Sequence, residues 1–86
     1  MTHRTEPKYW DFLNALPEEV RELAYKNYDL LQANPAHPSL SFKRVGALWS
    51  VRVGIRYPAL GRDEGADIVR YWVGHHSVYD RIIAGA

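Results

Sequence analysis

Two hydrophobic periods divide the chain. In the first third, Tyr9, Phe12, Leu13 and Leu16 follow the i, i+3, i+4, i+7 spacing of one helix face. Pro7 suits the first turn of that helix. The segment Asn14-Ala15-Leu16-Pro17 predicts a break, after which Pro17 opens a second helix. Glu18 and Glu19 fall in its first turn, where negative charge meets the positive end of the helix dipole. Val20, Leu23, Ala24, Asn27, Tyr28 and Leu31 form its inward stripe, with Asn27 the weak member. Asn34-Pro35-Ala36-His37-Pro38 ends it, because proline cannot continue a helix.

After Pro38 the period changes to two. Leu40 and Phe42 alternate with Ser41 and Lys43. Trp49, Val51 and Val53 alternate with Ser50 and Arg52, and Ile55, Tyr57 and Ala59 with Arg56, Pro58 and Leu60. Gly61-Arg62-Asp63-Glu64-Gly65 has the composition of a loop. Ile68 to Val73 is apolar on nearly all sides and predicts a central strand. Turns this short allow only antiparallel neighbours. Residues 76–84 suit a short closing helix with Tyr79, Ile82 and Ile83 inward. The expected fold is α+β: an N-terminal helical hairpin packed on a three- to four-stranded antiparallel sheet, with a short C-terminal helix. Residues 2–5 are long enough for an edge strand but too few to require one.

Composition narrows the class. The 86 residues are expected to form one domain. A chain of this size buries only roughly 60% of the surface exposed by its unfolded form. Three Trp, six Tyr and two Phe supply core area that the length would otherwise deny. The absence of cysteine excludes disulfide and thiolate chemistry and fits a reducing compartment. No apolar run approaches the ~20 residues of a membrane span, and the first residues lack a signal-peptide core, so a cytoplasmic location is expected.

Charge changes the picture further. The net charge is +1. Residues 1–35 hold four basic and six acidic side chains, or −2; residues 36–86 hold seven and four, or +3. Between Asp29 and Asp63 no acidic residue occurs, yet Lys43, Arg44, Arg52, Arg56 and Arg62 do. A sheet of one sign suggests a localised surface for a polyanion, set against the plainer reading of a solvated face. Arg52 shares a strand face with Ser50, opposite Trp49, Val51 and Val53, and guanidinium suits phosphoryl oxygens. Arg70, on the last strand, is either part of this basic set or a residue whose stem packs along the sheet.

Gly74-His75-His76-Ser77-Val78-Tyr79-Asp80 follows the predicted central strand. Histidine permits proton transfer near neutrality, and Tyr79 offers a phenol for proton exchange or base stacking. A polar turn with one capping histidine is the plainer alternative. A zinc site built from His75, His76, Asp80 and His37 matches no established ligand spacing, and adjacent histidines diverge in extended backbone. No glycine-rich phosphate loop, serine elbow or paired-carboxylate arrangement is present. No metal or cofactor is therefore expected.

The runs FLNALPEEVRELAYKNYDLLQANPAHPSLSFKRV, WSVRVGIRYPAL and YWVGHHSVYD resemble the RelE/ParE superfamily of toxins from bacterial toxin–antitoxin pairs. The resemblance spans about Trp10 to Ile83. It implies a compact α+β toxin neutralised by a cognate antitoxin. It also implies one of two activities: cleavage of mRNA, usually on the ribosome, as in RelE-like members, or non-nuclease inhibition of DNA gyrase, as in ParE-like ones. Under the first, Arg52 is implied to stabilise the scissile phosphate, with His76 and Tyr79 as the other catalytic groups. Lys43, Arg44, Arg56, Arg70 and His75 are the further RNA-contact candidates. One position departs from the pattern. Pro58, in Tyr57-Pro58-Ala59-Leu60, stands where relatives commonly carry a phosphate-binding arginine. The departure fits a nuclease of weakened activity, a detoxified copy, or a gyrase-type toxin. Arg56 is expected on the same face, where it would partly compensate.

Overall fold

The computed structural model describes residues 2–34 and 36–85. Along the chain run β1 (Thr2–Thr5), α1 (Pro7–Asn14), α2 (Glu18–Ala33), a 3-10 turn (Pro38–Leu40), β2 (Lys43–Val45), β3 (Leu48–Gly54), β4 (Tyr57–Glu64), β5 (Asp67–Val73) and α3 (His76–Ala84). The strands form one five-stranded sheet in the order β1-β5-β4-β3-β2.

The α+β class and both N-terminal helices agree with the sequence pattern; the sheet requires two corrections. It has five strands, not three or four, and it is mixed. β1 lies parallel to β5, with Thr2 opposite Asp67 and Thr5 opposite Arg70. The antiparallel rule holds for strands joined by short turns, and β2 through β5 obey it. It does not bind β1, whose spatial neighbour is the last strand in sequence. The helices between them supply the long connection that a parallel pair needs.

The segment Gly61 to Glu64 is strand, not loop. Arg62 pairs with Val69, Asp63 with Ile68 and Glu64 with Asp67, and the turn falls at Gly65, where φ is +63°. Charged residues persist here because they meet opposite charges. Arg62 bonds Glu6 and lies 3.4 Å from Glu64, while Arg4 reaches Asp67 at 2.9 Å. Conversely, Leu40 and Ser41 are not strand. Leu40 closes the 3-10 turn, fully buried, and Ser41 adopts a left-handed φ of 46° before β2 begins. Ile55 and Arg56 form the β3–β4 turn rather than the start of a strand.

One core joins the helical layer to the sheet. Tyr9 and Leu13 of α1, Val20, Ala24 and Leu31 of α2, Leu40, Val51, Val53, Ala59 and Val73 make one buried cluster. Asn27 belongs to the inward stripe for a polar reason: its side-chain amide donates to the carbonyls of Val53 and Arg52, pinning α2 to the end of β3. The break before α2 is closed by Arg21, which donates to the Leu16 carbonyl at 2.9 Å. α2 ends at Ala33, and Pro35 lies outside the described residues. Ser50 alternates with the core residue Val51, and Tyr79 of α3 bonds Ser50. α3 therefore sits on the sheet face away from the main core. Leu60 is fully buried on that second face, which makes β4 a strand covered on both sides. No helix among the described residues is long and apolar enough to cross a membrane.

Candidate active site

A cleft of about 190 Å³ opens between β2, β3, β4 and the first turn of α3. Lys43, Ser50, Arg52, Pro58, His76, Tyr79 and Asp80 contribute to its walls, and Ser41, Gly54 and Ile55 complete the rim. Residues 43 to 80 meet here because the register sets Lys43 opposite Ser50 and Arg52 opposite Pro58. A register shift between Arg52 and Gly54 marks a bulge beside Arg52, the kind of irregularity that re-aims a side chain. It also places Pro58 where a missing N–H is tolerated within an internal strand.

The approach to α3 is tied to β4 and to the turn before it by two backbone bonds: the Gly74 amide to the Pro58 carbonyl at 3.3 Å and the His76 amide to the Arg56 carbonyl at 2.9 Å. Gly74 is needed at this corner, since a Cβ there would lie 2.6 Å from the Trp72 ring. His75 caps the helix. Its Nδ1 accepts from the Ser77 amide at 3.3 Å, and its ring meets Tyr57 edge-on at 5.6 Å. His76 enters the cleft, and its Nδ1 lies 3.8 Å from Asp80 Oδ2 one helical turn on. Tyr79 donates its phenolic hydrogen bond to Ser50 Oγ at 3.0 Å.

The structure thus brings Lys43, Arg52, His76 and Tyr79 together and separates the other candidates. Arg44 lies over the Trp49 ring at 4.3 Å and pairs with Asp63 at 2.7 Å, on the helix-side face. The bonds from Trp49 and Arg44 also hold the Asp63 carboxyl below its usual range. Arg56 is exposed in the β3–β4 turn and lines a neighbouring apolar groove with Val20, Leu23 and Tyr57, not the cleft. It does not stand in for an arginine at position 58. His75 is taken up by its cap. Arg70 is the firmest correction to the RNA-contact set. It is 3% exposed, beneath the helices, with its guanidinium 4.5 Å from the Tyr28 ring centre and 5.6 Å from that of Tyr9. Burial lowers its pKa, and no polyanion can reach it.

The acid-free run in sequence is only partly acid-free in space. Arg44 and Arg62 are neutralised by Asp63, Glu6 and Glu64. Lys43 and Arg52 have no ion-pair partner among the described residues, and both face the cleft. Ser50 and Asp80 also line the cleft, where the sequence pattern shows Ser50 only as a face-mate of Arg52 and Asp80 only as a metal-ligand candidate. Strand alternation with Arg52 is the available signal for the first, and the i, i+4 spacing of His76 and Asp80 on one helix that for the second. Among the described residues, no group of three or more His, Cys, Asp or Glu side chains is arranged to hold a metal.

No family model matches the chain, and no curated protein matches it. Solved structures do. The RelB–RelE antitoxin–toxin complex from Methanococcus jannaschii matches with a TM-score of 0.70 at 20% identity, over 91% of this chain and 96% of that one. The chain has the fold of the RelE/ParE toxins. YafQ from E. coli matches at a TM-score of 0.69 and 7% identity, covering 90% of this chain and 94% of YafQ. A YoeB/ParE toxin from Agrobacterium tumefaciens matches at 0.64 and 14%, covering 88% and 99%. At these identities the likeness is one of architecture, along nearly the whole chain.

Proposed function

We propose that the chain is the toxin of a type II toxin–antitoxin pair and an endoribonuclease acting on mRNA, on the ribosome as RelE-like toxins do. The observation that carries this reading is the placement of two unpaired cations, Lys43 and Arg52, in one cleft with His76 and Tyr79. Resemblance of fold to RelE, YafQ and YoeB/ParE toxins supports it and supports an antitoxin as partner.

In this reading the cations hold a phosphodiester by charge-assisted hydrogen bonds. Asp80 faces Nδ1 of His76 and favours a hydrogen there, leaving Nε2 as the accepting nitrogen. His76 takes the proton of a ribose 2′-hydroxyl, and the 2′-oxygen bonds to the adjacent phosphorus. The bond from phosphorus to the 5′-oxygen then breaks, and Tyr79 returns a proton to that oxygen. The products are a 2′,3′-cyclic phosphate and a 5′-hydroxyl, with no metal in the sequence of steps. Pro58 leaves one wall of the cleft without charge, so the activity is that of an impaired enzyme.

The test is incubation of purified protein with ribosomes translating a defined mRNA, with mapping of the 5′ ends produced. Cleavage that disappears in His76→Ala supports the reading. No cleavage by the chain or by Pro58→Arg rejects it. Pro58 also favours a second reading, a non-nuclease inhibitor of DNA gyrase, for which a supercoiling assay is the direct measurement.

A further inference from the structure

Ser50 is a polar residue with no obvious reason to be in its strand. It is 5% exposed, between Trp49 and Val51, and its hydroxyl is spent neither on a turn nor on a cap. It receives the Tyr79 phenol at 3.0 Å across the gap between β3 and α3. A buried hydroxyl is costly unless bonded, and this bond is made to a residue lining the cleft.

We propose that Ser50 is a positioning residue that holds the Tyr79 oxygen in the cleft and stays paired with it in both protonation states. This rests on the nuclease reading above. A tyrosine side chain that ends in an open cleft has freedom about its side-chain torsions. The bond to a strand inside the sheet fixes where its oxygen stands relative to Arg52 and Lys43, which share that face. A hydroxyl also suits the task better than other partners. At rest Ser50 Oγ accepts from Tyr79. When the phenol turns its hydrogen to the leaving oxygen, the Ser50 hydroxyl turns to donate to the Tyr79 oxygen, and it keeps that bond to the phenolate once the proton has been given. A carboxylate in that place would oppose the phenolate, and an alanine would leave it without a donor. Ser50 makes and breaks no covalent bond.

The experiment compares Ser50→Ala, Ser50→Thr, Tyr79→Phe and the double variant Ser50→Ala/Tyr79→Phe by single-turnover cleavage of a translated mRNA. In parallel, the hydroxyl-bearing ring carbon of Tyr79 is observed at neutral pH by ¹³C NMR of tyrosine-labelled protein, its resonance assigned from Tyr79→Phe. Ser50→Ala should lower kcat at least about tenfold with KM little changed, threonine should restore most of it, and the double variant should be no slower than Tyr79→Phe alone. The Tyr79 resonance should move in Ser50→Ala and return towards its parent position in Ser50→Thr. Unchanged kcat in Ser50→Ala, or a loss that threonine fails to rescue, overturns the proposal. If the parent protein cleaves nothing, the nuclease reading has failed by itself. The NMR comparison then decides on Ser50: a Tyr79 resonance that ignores Ser50→Ala overturns its positioning role.

Discussion

Arg52 and Pro58 face each other across the β3–β4 pair, so the one arginine of the cleft looks onto an uncharged ring. A guanidinium at 58 would stand on the cleft wall opposite Arg52, within reach of the same phosphate. One such contact is commonly worth roughly 10²–10³ in rate. Pro58→Arg should therefore raise mRNA cleavage by about that factor and turn weak growth inhibition on induction into arrest. Growth and cleavage both unchanged would show that the proline is not what limits the chain.

Arg52→Ala removes an exposed side chain that pairs with nothing among the described residues. Stability should move by no more than about 0.5 kcal/mol. Cleavage should fall by roughly 10² or more, because the phosphate loses its guanidinium. Thermal unfolding beside single-turnover kinetics separates the two effects.

Arg70 behaves in the opposite way. Its Nε and Nη2 are buried without a hydrogen-bond partner, and burial disfavours its charge. An apolar side chain of similar length removes that penalty, so Arg70→Met should leave stability unchanged or raise it by ~1 kcal/mol or more. Arg70→Ala should lower it by about 2–4 kcal/mol by opening a cavity between Tyr9 and Tyr28. Neither change should alter cleavage per folded molecule. Denaturant titration of both variants is the check.

Asn27→Ala cuts the tie between α2 and the carbonyls of Arg52 and Val53. Roughly 1 kcal/mol of stability should be lost, or about 4–8 °C in Tm for a domain of this size. The bulge that aims Arg52 lies at those carbonyls, so cleavage should decline further than the fall in folded fraction explains.

His3 gives the fold a pH dependence. Burial first, and then the charge of Arg70, hold its pKa below the ordinary 6.5. As pH falls below about 6.5 the unfolded chain takes up a proton that the folded chain refuses. Stability should accordingly drop from that point until the pH passes the lower folded-state value, and stay level above neutrality. His3→Gln should flatten this slope in chemical denaturation measured at pH 5 to 8.

The helices and the inner strands were legible because each presents a single clear period, as Tyr9-Phe12-Leu13-Leu16 and Trp49-Val51-Val53 do. Arg52, His76 and Tyr79 were legible as a set through the resemblance, and the structure places them in one cleft. What the sequence hid was pairing at a distance. The ladder of Arg62, Asp63 and Glu64 reads as a loop because its charged partners Arg4, Glu6 and Arg44 are remote in sequence. Arg70 reads as a surface cation because nothing local reveals the two tyrosines that enclose it. β1 is too short to declare itself without β5.

That last pairing governs when the molecule can exist. Because Thr2–Thr5 are held by residues 67–70, the sheet cannot close until residue 70 has left the ribosome. Non-local contacts of this kind form late and slowly. The segment bearing His76 and Tyr79 emerges after β5, so no partly made chain can carry a complete cleft.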